Sequence, residues 1–187
     1  SHIAFAHRRL SIVELSPFGH QPMCSEDGKF WLIFNGEIYN YKEISGELRT
    51  RGHKLISNSD TEVLLHSFIE WGIECVHRFR GMFAFALFDG VKNEAWVVRD
   101  HMGIKPVFYT LQNGKLIFAS DIKTIIASGL YKPQVDWEGL WHTLSFPVCP
   151  QPLTAFRGVQ ALEPGSWMKI NLNNGFIKTE QYWDIPV

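Results

Sequence analysis

Three short segments stand out for the chemistry of their side chains: paired donors for a carboxylate, donors for a developing negative charge, and an acidic group at a helix start. In His7-Arg8-Arg9-Leu10-Ser11-Ile12, a guanidinium fork offers paired donors matched to a free carboxylate. If the segment is a strand, Arg8 and Arg9 point to opposite faces, so only one of them can serve a given site. Asn35-Gly36-Glu37 follows a continuous apolar run, Phe30 to Phe34. A side-chain amide beside a glycine N–H is a pair of donors for an oxyanion, and glycine lets the backbone approach closely. Asp60 is an acidic group in a segment (Ser59-Asp60-Thr61-Glu62) that reads as a helix start. Each segment also has a plain structural reading. Arg9 could form a surface salt bridge, Asn35-Gly36 a hairpin turn, and Ser59 or Asp60 an ordinary cap.

The elements that must position these groups are mostly short strands joined by turns. Phe30 to Phe34 reads as a strand buried on both faces. Because Glu37-Ile38-Tyr39-Asn40 runs on toward a helix, Asn35-Gly36 is expected in a strand-to-helix loop. Three hairpins are expected. The first joins Met82–Phe88 to Ala95–Val98 through Asp89-Gly90. The second joins Val107–Leu111 to Lys115–Ala119 through Asn113-Gly114, and the third Ser166–Leu172 to Phe176–Tyr182 through Asn174-Gly175. Helices are expected over Tyr41 to Arg51, Thr61 to Trp71, Asp121 to Ser128 and Asp136 to Ser145. The second should start with a Ser59/Glu62 capping box and stop at Gly72. Phe146 to Leu153, with Pro147, Pro150 and Pro152, should pass over the surface to a closing hairpin. Hairpin-paired strands with helices between their groups define an α+β layered domain with largely antiparallel sheets.

Composition narrows the partners. The 187 residues are 45% hydrophobic and 20% charged with a formal net charge of −1, an ordinary globular balance that fits one domain over residues 1–187. No basic cluster suits nucleic acid. No apolar run is long enough to span a bilayer, and no signal peptide opens the chain. Three scattered cysteines (Cys24, Cys75, Cys149) show neither disulfide nor metal spacing, which fits a reducing, cytoplasmic setting; eight dispersed histidines give no metal site either.

In order and spacing these segments resemble the glutaminase domain of asparagine synthetases, a class II glutamine amidotransferase. The resemblance continues through Arg99-Asp100-His101-Met102-Gly103-Ile104-Lys105-Pro106, Gly81-Met82-Phe83-Ala84-Phe85-Ala86, Phe118-Ala119-Ser120-Asp121-Ile122-Lys123, Leu162-Glu163-Pro164-Gly165 and Tyr182-Trp183-Asp184. It implies the four-layer αββα sandwich of N-terminal-nucleophile hydrolases. It further implies that Arg9 holds the α-carboxylate of L-glutamine, and that Asp60, with Glu37, holds its α-amino group. Asn35 and the Gly36 N–H would form the oxyanion hole, where one donor is worth about 2.7–4 kcal/mol. The Arg99-Asp100 segment would be structural or interfacial.

In such enzymes the nucleophile is an N-terminal cysteine, whose thiolate forms a γ-glutamyl thioester. Only eight residues precede Arg9. The first strand and the nucleophile are therefore expected to be missing, Ser1 is not favoured as a substitute, and the chain by itself is expected to be inactive. A lost first strand would expose an apolar face and favour a homo-oligomer. No cofactor is expected in this domain. ATP and Mg belong to a C-terminal synthetase domain, the expected partner, which would amidate aspartate. The alternatives are a non-catalytic amino-acid-binding or interaction domain, or an amidotransferase acting on another carboxylate, of a sugar or peptide.

Overall fold

A computed structural model describes residues 2–8, 20–146 and 149–186. Strand alternation sets the layering. In β3 (Gly81–Asp89), the odd positions Phe83, Phe85 and Leu87 face one way and Ala84 and Ala86 the other, and both sets are buried. A strand buried on both faces must lie at the centre of stacked layers.

Its neighbours are β2 (Phe30–Ile38) and β4 (Glu94–Arg99), both antiparallel to it. The sheet extends through β1 (Met23–Cys24) beside β2, and through β8 (Ser166–Asn171) and β9 (Ile177–Gln181) beyond β4, in the order β1-β2-β3-β4-β8-β9. A second, three-stranded sheet has the order β6-β5-β7, from β5 (Phe108–Gln112), β6 (Lys115–Ala119) and β7 (Val159–Ala161). Every strand pairing described is antiparallel.

Three hydrophobic clusters fill the spaces between layers. Helices α1 (Tyr41–Thr50) and α2 (Asp60–Trp71) bury Ile44, Leu48, Leu64 and Phe68 against the Phe83/Phe85/Leu87 face. The opposite face, Ala84, Ala86, Ala95 and Val97, meets the three-stranded sheet through Tyr109, Leu116 and Phe118. The outer face of that sheet (Phe108, Ile117, Val159) is covered by Ile122, Ile125 and Ile126, all from α3 (Ile122–Ala127). Helix, sheet, sheet, helix is the αββα order expected. Small alanines on the inner face let the two sheets approach, while the phenylalanines fill the wider gap under the helices. A further helix, α4 (Trp137–Ser145), lies close against residues 154–155 at Gly139, where a Cβ would overlap the Thr154 carbonyl.

The three expected hairpins form as β3–β4, β5–β6 and β8–β9. In the second, Asn113 (φ 50°) and Gly114 (φ 74°) both adopt the left-handed conformation of a two-residue turn whose twist matches its strands. Three sequence expectations need correction. β2 does not stop at Phe34 but runs to Ile38, so Asn35, Gly36 and Glu37 lie within a strand. Nor is that strand buried on both faces throughout: Trp31 is 41% exposed, although it pairs with Cys24 of β1. The Ser59/Glu62 capping box does not close. Ser59 Oγ accepts from Thr61 N–H, but Glu62 turns away to take the N–H groups of Ile56 (2.8 Å) and Ser57 (2.7 Å). In the proline-rich segment Phe146, Pro150 and Gln151 are exposed. Gln151 Oε1 accepts from the Arg99 guanidinium at 2.6 Å, Thr154 is buried, and β7 joins the small sheet before the last hairpin begins.

Candidate functional site

The register of β2 against β3 decides what Asn35, Gly36 and Glu37 can do. Gly36 stands opposite Phe83. The Phe83 N–H and carbonyl are both turned toward β4, where they meet the Asp100 side chain (3.2 Å) and the Asp100 N–H (2.7 Å). In an antiparallel ladder, a residue whose partner faces away belongs to a non-hydrogen-bonded pair. The Gly36 N–H therefore points away from β3, to the side of β2 where β1 has ended.

The neighbours of the same parity bear this out. Phe34 N–H donates to the side-chain Oε1 of Gln21 at 2.6 Å, and Ile38 N–H to Asp60 Oδ2 at 3.1 Å. Two of three successive edge donors are thus capped by side chains brought from elsewhere. The middle one, Gly36 N–H, has no partner among the described residues. An unpaired N–H at the end of a sheet is a donor available to a ligand. The residue there must be glycine: φ is +148°, and a Cβ would overlap the Met82 carbonyl oxygen and come within 2.7 Å of Phe83 Cα.

Asn35 occupies the alternate parity. It shares a face with Ile33, which packs into the cluster between the sheets. Its amide Nδ2 donates to Ser120 Oγ at 3.4 Å, across the gap to the residue after β6. Glu37, two residues further along, projects from the same face, so Asn35 and Glu37 lie ~6.6 Å apart along the strand.

Asp60 is the first residue of α2 and only 5% exposed. Burial pushes its carboxyl above the ordinary carboxylate range. Hydrogen bonds from the Ile38 and Thr61 N–H groups partly offset this, and the nearby charge of Glu37 adds to it. A carboxylate that is buried and repelled by a second one gains from an arriving cation. Ser59 caps the helix, while Asp60 accepts from the strand edge at Ile38. Asn35, Gly36, Glu37 and Asp60 are therefore brought together at one end of β2. Arg9, the expected carboxylate ligand, lies outside the described residues, and Arg8 is exposed.

Arg99 and Asp100 have other work. Arg99, 4% exposed, donates to the carbonyls of Lys105 (2.9 Å), Gly103 (2.7 Å) and Leu162 as well as to Gln151. The Asp100 carboxylate accepts from the N–H groups of Phe83, Met102, Ile104 and Lys105, the last at 2.8 Å. Together they lock the loop after β4 and hold Phe83 opposite Gly36. Gln21 and Ser120, which contact this strand end, were not singled out as site residues by sequence. Gln21 carries no local signal beyond a polar residue before Pro22, whereas Ser120 lies inside a quoted motif.

The three cysteines are elsewhere. Cys75 is fully buried, which pushes its thiol far up. Cys24 is opposite Trp31, ~13 Å along the ladder from Asn35. Cys149 Sγ lies 3.6 Å from the Gly139 carbonyl. Among the described residues no three His, Cys, Asp or Glu side chains group to hold a metal ion, and no helix is long and apolar enough to cross a membrane.

The αββα sandwich is the fold of the N-terminal-nucleophile hydrolases, and similarity to known proteins agrees. The chain belongs to the glutamine amidotransferase domain family, whose model matches residues 1–183. It is 38% identical over 187 residues to glutamine-hydrolyzing asparagine synthetase 3 of Bacillus subtilis, covering 98% of this chain and 30% of that protein. It is 40% identical over 169 residues to asparagine synthetase 1 of the same organism, covering 90% of this chain and 26% of that protein. Among solved structures it resembles the B. subtilis glutamine phosphoribosylpyrophosphate amidotransferase, with a TM-score of 0.68 at 20% identity over 94% of this chain and 34% of that one. The chain thus spans about a third or less of each of these proteins.

Proposed function

We propose that this domain binds free L-glutamine at the β2 end and stabilises the tetrahedral intermediate of its hydrolysis to glutamate and ammonia. The observation that carries the reading is the Gly36 N–H, left between two capped neighbours and beside the Asn35 amide. Asn35 and Gly36 are the oxyanion donors. Asp60, with Glu37, takes the α-ammonium, and Arg9 the α-carboxylate. In the complete reaction a cysteine thiolate attacks the side-chain carbonyl, ammonia leaves with a proton, and water cleaves the resulting thioester to glutamate. None of Cys24, Cys75 and Cys149 is the attacking group, so the 187-residue chain alone binds glutamine and does not turn it over.

The names of its relatives support a parent protein in which the ammonia is delivered to an activated carboxylate, that of aspartate. A synthetase domain of the same parent would be the partner, and ATP and Mg would be needed only there. Titration calorimetry with L-glutamine and N-acetyl-L-glutamine tests the binding claim. L-glutamine is expected to bind, while the acetylated form, which has no ammonium for Asp60, should give no saturable heat. Equal binding of the two would overturn the assignment of Asp60.

A further inference from the structure

We propose that Ser120 is a positioning residue for the oxyanion donor Asn35, an inference that rests on the amidotransferase reading of this site. The side-chain amide of asparagine turns about a soft torsion, so an asparagine on a strand face does not by itself present an N–H in one direction. Asn35 carries two amide hydrogens. One is spent on Ser120 Oγ, at 3.4 Å, across the gap between the two sheets. Fixing that hydrogen fixes the amide plane, and with it the direction of the second, which is left for the ligand.

Ser120 is well placed to give this direction. It follows Ala119, the last residue of β6, whose pairing with Phe108 fixes the backbone on one side. On the other side Asp121 caps α3, its Oδ1 accepting from Lys123 N–H at 2.8 Å. The hydroxyl of Ser120 is therefore not used by the helix, since Asp121 does the capping, and its position is set from both directions. The length of the bond suits a site without its ligand, because hydrogen bonds of this kind are often long until substrate charge draws them in.

A second, more local role for Ser120 would be simple support of the β6–α3 junction. The two roles differ in what they do to ligands of different shape. L-glutamine presents a planar amide, whereas L-homocysteate places a tetrahedral, anionic sulfonate at the same position and needs no nucleophile to bind. The experiment is calorimetry of both amino acids with the 187-residue chain, its Ser120→Ala and its Ser120→Thr variants, together with NMR of the Asn35 side-chain amide. Ser120→Ala is expected to weaken homocysteate about three- to tenfold, the worth of one neutral hydrogen bond, with the loss falling on homocysteate and sparing glutamine. It should also bring the two Asn35 amide proton signals together or speed their exchange. Ser120→Thr, which keeps the hydroxyl, should restore both readouts.

Equal weakening of the two ligands, or no weakening of either, would overturn the proposal, as would unchanged Asn35 amide signals in the alanine variant. If neither amino acid binds the unsubstituted chain, the glutamine reading itself fails. The amide signals then still decide whether Ser120 orients Asn35.

Discussion

Replacing Asp60 with asparagine should move ligand affinity and fold stability in opposite directions. The side chain is 5% exposed and gives one oxygen to the Ile38 N–H, an acceptor that asparagine can retain. What Asp60→Asn removes is charge. A charge-assisted hydrogen bond to an ammonium is worth about 1.5–3 kcal/mol, so L-glutamine should bind about 10- to 150-fold more weakly at neutral pH. Stability follows the other sign. The carboxyl is held above its ordinary range by burial, so its ionised form is less comfortable in the fold than in the unfolded chain. Above that raised pKa the fold carries the penalty of a buried charge. As pH falls through it, the folded chain takes up a proton before the unfolded chain does and the penalty is lifted. The variant should therefore be at least as stable as the parent at neutral pH, and the difference should close on acidification. Glutamine affinity of the parent should fall over the same window, since the ligand needs the ionised form. Urea unfolding at neutral and acidic pH, with calorimetry on the same samples, reads both quantities. A variant that is less stable at neutral pH yet binds glutamine normally would show Asp60 to be only an acceptor for Ile38, and the ammonium assignment would be refuted.

Gly36→Ala should destabilise the fold by about 1–3 kcal/mol, because a Cβ at φ +148° would be driven into the β3 backbone. Amide shifts of Met82 and Phe83 should report the separation, and a cost within about 0.5 kcal/mol would mean that the strands are not held this close. Asp100→Ala strands the N–H groups of Phe83, Met102, Ile104 and Lys105. It should cost about 3 kcal/mol or more, with Asp100→Asn in between; a loss below about 1 kcal/mol in chemical denaturation would contradict the clamp.

The parts of the fold that sequence foretold are those fixed within a few residues. Asn113-Gly114 can make a tight turn because both residues tolerate positive φ, and Gly72, at φ 59°, ends α2 for the same reason. The continuous apolar run Met82 to Phe88 correctly marked a strand. What was missed turns on partners outside the local pattern. The Glu62 spacing suits a capping box, but the preceding loop folds back and offers Ile56 and Ser57 N–H groups instead. Arg99 has its acceptors at Gln151 and Leu162, which no local pattern links to it. The length of β2 was misjudged because its last residues are held by β3, as far as the Ile38–Gly81 pair.

Gly36 shows how the two kinds of information combine. Asn-Gly is the commonest short turn signal, yet at φ +148° Gly36 is not in the left-handed turn conformation near +57°. The closeness of β3 alone would demand glycine, so its presence is no proof of catalysis. The direction of its N–H is a separate matter, and it follows from the ladder's parity. Edge donors that cannot reach water must be satisfied, and the fold spends Gln21 on one and Asp60 on another. Among the described residues two capped donors flank a Gly36 N–H without a partner, beside an Asn35 amide bonded to Ser120, and this arrangement suits the proposed oxyanion site. The types of Asn35, Gly36 and Asp60 could be read in sequence; the direction of the Gly36 N–H could not, since it rests on which way Phe83 faces.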